Sequence, residues 1–189
     1  MTGMSGARAR LGSRIQPRPI VGEDNQMEQL KPKDELLLPD IRNRNRVNLD
    51  HSTGVVTEMT CYTIYDEVSK ITLRGGAPSN VRSHFETARN LLVYSWFVYT
   101  FNIAAIMQAL ASLEMAVREK TGEKKTPFKT LLDKVFKNRQ LFNPLGPALP
   151  LSIAISKARN DLAHGSPTLH GMGLPWVTTC AELINELYP

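Results

Sequence analysis

From residue 54 onward the apolar residues return at intervals of three and four, the period of a helix with one buried face. In 54-GVVTEMTCYTIYDEVSKITLR-74 the interval links Val55, Met59 and Tyr62, then Ile64, Val68 and Ile71. Helix is therefore expected there, although β-branched residues are common in the stretch. The cluster 75-GGAPSN-80 breaks the chain, and Ser79 reads as the N-cap of a long helix from Val81 to about Lys120, closed by Gly122. A second helix fits 126-TPFKTLLDKVFKNRQL-141, with Thr126 as cap and Pro127 at the first helical position. Beyond 143-NPLGPALP-150, a third covers roughly 151–163 and a fourth runs from Pro175 to Leu187. No strand-dominated stretch and no repeat interrupts the series, so the expected fold is all-α, an up-and-down bundle of about four to five helices with one far longer than the rest.

Residues 1–50 are different: Pro17, Pro19, Pro32 and Pro39 stand among Gly, Asn, Gln and charges without an apolar period. Too little apolar surface is available there to offset the entropy of ordering, which predicts an irregular N-terminal extension, disordered or draped on a partner. Three parts follow: an arm over 1–50, a connecting segment packing on the bundle over 51–78, and a helical domain over 79–189.

Composition is that of a folded chain of 189 residues, 42% apolar and 22% charged, which disfavours wholesale disorder, collagen and disulfide scaffolds. Cys61 and Cys180 have neither motif spacing nor histidines at ligand distance, so both read as buried thiols in a reducing compartment, with no structural zinc. The first twenty residues hold four arginines and no apolar run of signal-peptide length, and a cytoplasmic address is expected. A net charge of +5 permits a polyanionic partner without requiring one. The densest basic run noted, Arg42, Arg44 and Arg46, reads either as a solvated linker or as an RNA contact.

Between Arg89 and Glu114 no charge occurs, and 91-LLVYSWFVYTFNIAAIMQALASL-113 has the length of a bilayer span. Ser95, Thr100, Asn102, Gln108 and Ser112 are scattered through it and no second span exists, which favours the buried centre of a bundle, covered on its other side by a second subunit, over a membrane partner. With Glu114 at zero on a helical wheel, Phe85 and Ile103 fall near about −20°, Leu92 and Leu110 near −40°, and Tyr99 and Val117 near −60°, while Met107 falls near +20°. Glu114 thus borders the apolar stripe and needs a cationic partner or an outward lean.

On the third helix Leu151, Ile155, Ala158 and Leu162 form one stripe, and Arg159 lies about 40° from Ile155, which makes it the natural partner of Glu114. Asn160 and His164, four apart, share a neighbouring face. Gly165 and Pro167 end the helix near Ala163 or His164. Residues five apart diverge by about 140°, so unwinding at the cap is needed to bring His164 back to Arg159. The negative end of the helix dipole favours a protonated imidazole at such a terminus. A guanidinium and an imidazole side by side suit a phosphodiester, the first holding charge and the second moving a proton. The same residues also make an ordinary helix C-terminus, with cations near the last carbonyls.

The segment 158-ARNDLAHG-165 resembles the signature of HEPN domains, Arg-x-x-x-x-His with a polar residue after the arginine. The upstream 85-FETARNLLVYSWFVYTFNIAAIMQALASLEMAVREKTG-122, with Leu113-Glu114 near its end, is similar to the long first helices of HEPN proteins of prokaryotic defence and toxin systems. The likeness covers roughly residues 79–189. It implies a HEPN-like helical bundle, a symmetric homodimer with the two motifs in one cleft, and metal-independent RNA cleavage that leaves a cyclic phosphate. Carried over, His164 is the acid/base, Arg159 the phosphate ligand and Asn160 the polar residue that orients them; Glu114 as the brace for Arg159 follows from the helical wheel, and Asp161 is a second supporting residue. The resemblance implies RNA as substrate and admits an antitoxin or other defence-system partner; nothing in the sequence asks for a metal or organic cofactor. A HEPN-like module that dimerises or binds RNA or nucleotide without cleaving is the other expectation. Where some HEPN toxins carry a modifiable tyrosine two residues past the histidine, this chain has Ser166, so that route of control is not expected. His170 offers a second proton-transfer group or an incidental loop histidine, and Lys157 faces solvent.

Overall fold

The computed structural model describes residues 29–50, 52–141, 148–165, 169 and 171–189. Over these the protein is mostly helical, with six α-helices and two small two-stranded antiparallel sheets. The helices are α1 (Cys61–Ser69), α2 (Ser79–Tyr94), α3 (Phe101–Thr121), α4 (Phe128–Val135), α5 (Leu151–Ala163) and α6 (Gly173–Leu187). Strands β1 (Val47–Leu49) and β2 (Val56–Glu58) form a hairpin in which Val47 faces Glu58 and Leu49 faces Val56. Strands β3 (Gln140–Leu141) and β4 (Leu149–Pro150) pair just before α5.

α3 is the hub, packed against α2 and α6 most extensively and against α4 and α5 as well. Its buried arc includes Leu110, Leu113, Ala116 and Val117, and so runs from about −40° through −100° to −160° on the wheel that has Glu114 at zero. Glu114 therefore sits at the edge of the core, and Met107, on the far side of it, is exposed.

The single long helix expected from Val81 to Lys120 is two helices, broken by turns at 95–100. Neither proline nor glycine causes the break; upstream residues complete it. Asn43, buried, donates its side-chain amide to the carbonyls of Ser95 (2.9 Å) and Trp96 (3.0 Å). The Asp40 amide adds a bond to Trp96 O at 2.9 Å. Asp40 Oδ2 in turn accepts the Tyr99 amide at 3.1 Å, and Lys31 Nζ reaches Phe97 O at 3.2 Å. Backbone groups released by a helix end must find partners, and here those partners lie more than fifty residues away in sequence.

Residues 29–50 are accordingly no loose arm: they hold a 3-10 turn at Lys33–Glu35 and dock on the α2–α3 corner. Arg42 clasps the Asp40 carboxylate (2.8 Å) and stacks 4.5 Å over the Tyr99 ring, so the arginine run is fastened to the bundle and is not a free linker. The rest of the expected arm lies outside the described residues.

Other expectations shift by smaller amounts. The stretch 54–74 begins with β2, and helix starts only at Cys61, where Thr60 and Thr63 form a reciprocal capping box. α4 stops at Val135, and residues expected to continue it to 141 turn at Asn138 (φ 60°) and enter β3. Pro78 and Pro127, not Ser79 and Thr126, occupy the N-cap positions. Gly122 does close α3, in the left-handed conformation at φ 71°. Among the described residues no helix is long and apolar enough to cross a membrane. The polar residues scattered through 91–113 have internal partners: Ser95 Oγ donates to Leu92 O, Asn102 Nδ2 to Tyr99 O, Gln108 Nε2 to His84 O, and Ser112 Oγ to Gln108 O.

Candidate functional site

α5 presents Leu151, Ser152, Ile155, Ala158 and Leu162 to the core, which fixes its rotation about its own axis. Arg159, next to Ala158, leaves that face at its edge and meets Glu114, which leaves α3 at the matching edge; Nη1 and Oε2 are 2.9 Å apart. The Glu114 side chain is 19% exposed and that of Arg159 55%. The pair inferred from the two helical wheels is thus present, on the rim of the core where the carboxylate is the more enclosed partner.

Glu114 has a second cation that the sequence reading missed. Arg118 binds its other oxygen, Nη2 to Oε1 at 2.7 Å and Nε to Oε1 at 3.0 Å. The signal was available, since a glutamate followed four residues later by arginine is the favourable helical spacing. Arg118 Nη1 also donates to the carbonyls of Glu123, Lys124 and Thr126, clamping the loop after α3. The carboxylate therefore ties α3, α5 and the α3–α4 loop together. An open cavity of about 620 Å³ lies on the α3 side of this cluster, lined by Ala111, Glu114, Met115, Arg118, Glu119, Gly122 and Lys124.

The helix end differs from its expected form. α5 stays regular to Ala163, and the His164 amide still bonds Asn160 O at 3.0 Å. Gly165 then turns into the left-handed region at φ 72°, as its place after the helix requires. The unwinding that was to swing His164 back toward Arg159 is absent, so within one chain the two residues keep close to the ideal divergence of about 140°. Asn160 and His164 do share a face, and both are exposed. Asp161 is occupied by Lys157 at 2.8 Å, a solvent-side pair along the helix. Among the described residues His164 and Asn160 have no side-chain hydrogen-bond partner. Ser166, Pro167 and His170 lie outside the described residues.

Among the described residues no three or more His, Cys, Asp or Glu side chains gather as a metal site. Of the two thiols expected to be buried, Cys180 is, in α6, which pushes it up to about 12, whereas Cys61, the first residue of α1, is only half-buried. What the local geometry offers is an anchored guanidinium on one face of a helix and an exposed imidazole at that helix's end that bonds no partner among the described residues. No family model, no curated protein and no solved structure matches the chain.

Proposed function

We propose that the chain is an endoribonuclease of the HEPN type, acting in toxin or defence biology, with a HEPN-like up-and-down bundle as its scaffold. The observation that carries this reading is the Arg159–Glu114 ion pair, which holds the arginine of the Arg-x-x-x-x-His motif with half of its side chain open to a ligand. In this reading Arg159 takes a phosphate oxygen of RNA and the charge that grows on it during attack. His164 accepts the proton of the ribose 2′-hydroxyl as that oxygen attacks phosphorus, and an imidazolium returns a proton to the departing 5′-oxygen, leaving a 2′,3′-cyclic phosphate and a 5′-hydroxyl. Asn160 shares the His164 face and is the polar residue that orients the catalytic pair.

The divergence of Arg159 and His164 on a regular helix gives this reading a definite form. One protomer supplies the arginine and its partner the histidine, two α5 ends meeting across a twofold axis. The same divergence favours a second reading, a HEPN-like module in which Arg159 is a structural link between α3 and α5 and the chain dimerises or binds RNA without cutting it.

The deciding experiment is cleavage of RNA by the wild-type protein and His164→Ala in EDTA, with end-group analysis of the fragments. Cyclic phosphates from the wild type, lost in the variant, support the nuclease. Absence of cleavage by both sinks it in favour of the binding module.

A further inference from the structure

Residues 118–139 contain eight of the chain's 23 Lys and Arg residues and three of its 18 Asp and Glu residues, a net +5, so the rest of the chain, with fifteen of each sign, is neutral. The whole excess charge of the protein is thus carried by the last turn of α3, the loop after it, α4 and the turn beyond. α4 buries Phe128, Leu131 and Leu132, which leaves its charged side facing solvent on a fixed support.

Half of these cations are engaged. Arg118 serves Glu114 and the loop carbonyls, Lys134 pairs with Glu123, Arg139 pairs with Glu186, and Lys120 lies 5.0 Å over the Tyr188 ring. Lys124, Lys125, Lys129 and Lys137 are exposed and bond no acceptor among the described residues. Lys124 also lines the cavity that Glu114 lines, so the charged surface begins at the Glu114–Arg159 cluster.

We infer that this α3–α4 corner is the surface on which the phosphate backbone of a single-stranded RNA lies as it leads to Arg159; the inference rests on the endoribonuclease reading for the identity of the polymer. Four lysines that bond no acceptor among the described residues, with Asp133 the one carboxylate on α4, share one loop-helix-loop; they repel each other and gain most from a ligand with regularly spaced negative charge. An anionic bilayer fits less well, because an interfacial helix needs outward-facing apolar anchors and no large exposed apolar residue among those described falls between 118 and 139. The apolar lining of the cavity, Ala111 and Met115, offers a wall for a base beside the track.

The test uses fluorescence anisotropy with a labelled 2′-O-methyl oligouridylate, which the 2′-oxygen route cannot cleave, so binding is read apart from catalysis. Lys124→Gln, Lys125→Gln, Lys129→Gln and Lys137→Gln combined should lower the slope of log affinity against log salt by about three, from roughly 0.7 per lost phosphate contact on a single strand. Lys→Arg at the same four positions should keep the wild-type slope, which separates charge from folding. An unchanged slope in the glutamine variant, or binding to phosphatidylserine vesicles without RNA binding, overturns the inference and leaves the cleavage reading standing. Loss of slope in a protein that never cleaves RNA upholds the surface and removes the nuclease.

Discussion

Arg159 Nη1 lies 2.9 Å from Glu114 Oε2, an ion pair that joins α5 to α3 at the rim of the core. Because Arg118 holds the other carboxylate oxygen at 2.7 Å, removing Arg159 does not strand Glu114. Arg159→Ala should therefore cost less than about 1 kcal/mol of stability, as for other half-exposed pairs. Arg118→Ala removes the hydrogen bonds to Glu114 and those to three loop carbonyls, and should cost about 1.5–3 kcal/mol. Urea unfolding of both variants checks the order, and a larger loss for Arg159→Ala would mean that Arg118 is not the main anchor.

That order makes Arg159 a clean probe of chemistry. If Arg159 stabilises charge in a transition state, Arg159→Ala should lower RNA cleavage by about 10²–10³-fold with an almost unchanged melting temperature. Arg159→Lys should recover little, since an ammonium does not reproduce the planar fork. Equal turnover of wild type and Arg159→Ala, measured with excess substrate and with limiting substrate, would assign the residue a structural role alone.

Asn43 is one of the upstream residues that complete the break between α2 and α3, alongside Asp40 and Lys31. Asn43→Ala removes a side-chain donor from the carbonyls of both Ser95 and Trp96. Asn43 is 1% exposed, so water does not readily replace it. The expected loss is about 2 kcal/mol, with faster amide exchange through 95–102 as its local signature. Unaltered exchange there would show that the corner holds without the Asn43 side chain.

Asp40 makes the same corner sensitive to acid. Burial alone would raise its carboxyl, but the hydrogen bonds and charge of Arg42 and the Tyr99 amide outweigh that and hold it at about 2. A folded-state pKa below the unfolded value of 3.8 means stability present above about pH 4 and lost as pH falls toward 2. Fluorescence of Trp96 is the local readout, with Trp176→Phe as background, and Asp40→Asn should flatten the change over that window.

Much of the helical frame was legible because α5 and the end of α3 carry both an apolar stripe and a stop signal, Gly165 and Gly122. The Glu114–Arg159 pair was legible for the same reason: each residue borders a stripe, and two stripes that share a core bring their borders together. The break at 95–100 was not, because 91-LLVYSWFVYTF-101 carries no helix breaker and its capping groups, Asp40 and Asn43, sit far upstream in a stretch without periodicity. The β1–β2 hairpin was hidden by helical spacing in β-branched residues that pairing with residues 47–49 overrides. The divergence of Arg159 and His164 turned on where the helix stops being regular, and spacing alone does not fix a boundary to one residue.

Two glycines separate crowding from backbone strain, and they give opposite substitution rules. At Gly173, the first residue of α6, an added Cβ would lie 2.5 Å from Asn102 Oδ1 and 2.6 Å from Leu92 Cδ1. Neither neighbour yields easily: Asn102 is tied to Tyr99 O and Leu92 is 2% exposed. Gly173→Ala should therefore cost about 1–3 kcal/mol through overpacking, and Gly173→Asn more, because the larger side chain meets the same wall. At Gly122 a Cβ meets nothing within 4 Å, but φ is 71°. Gly122→Ala should cost about 1 kcal/mol from backbone conformation alone, and Gly122→Asn less, since asparagine tolerates the left-handed region. Thermal unfolding of the four variants reads the contrast. The same rank order of Ala and Asn at both sites would mean that α6 shifts to relieve Gly173, and that its start is less firmly seated between α2 and α3 than these contacts require.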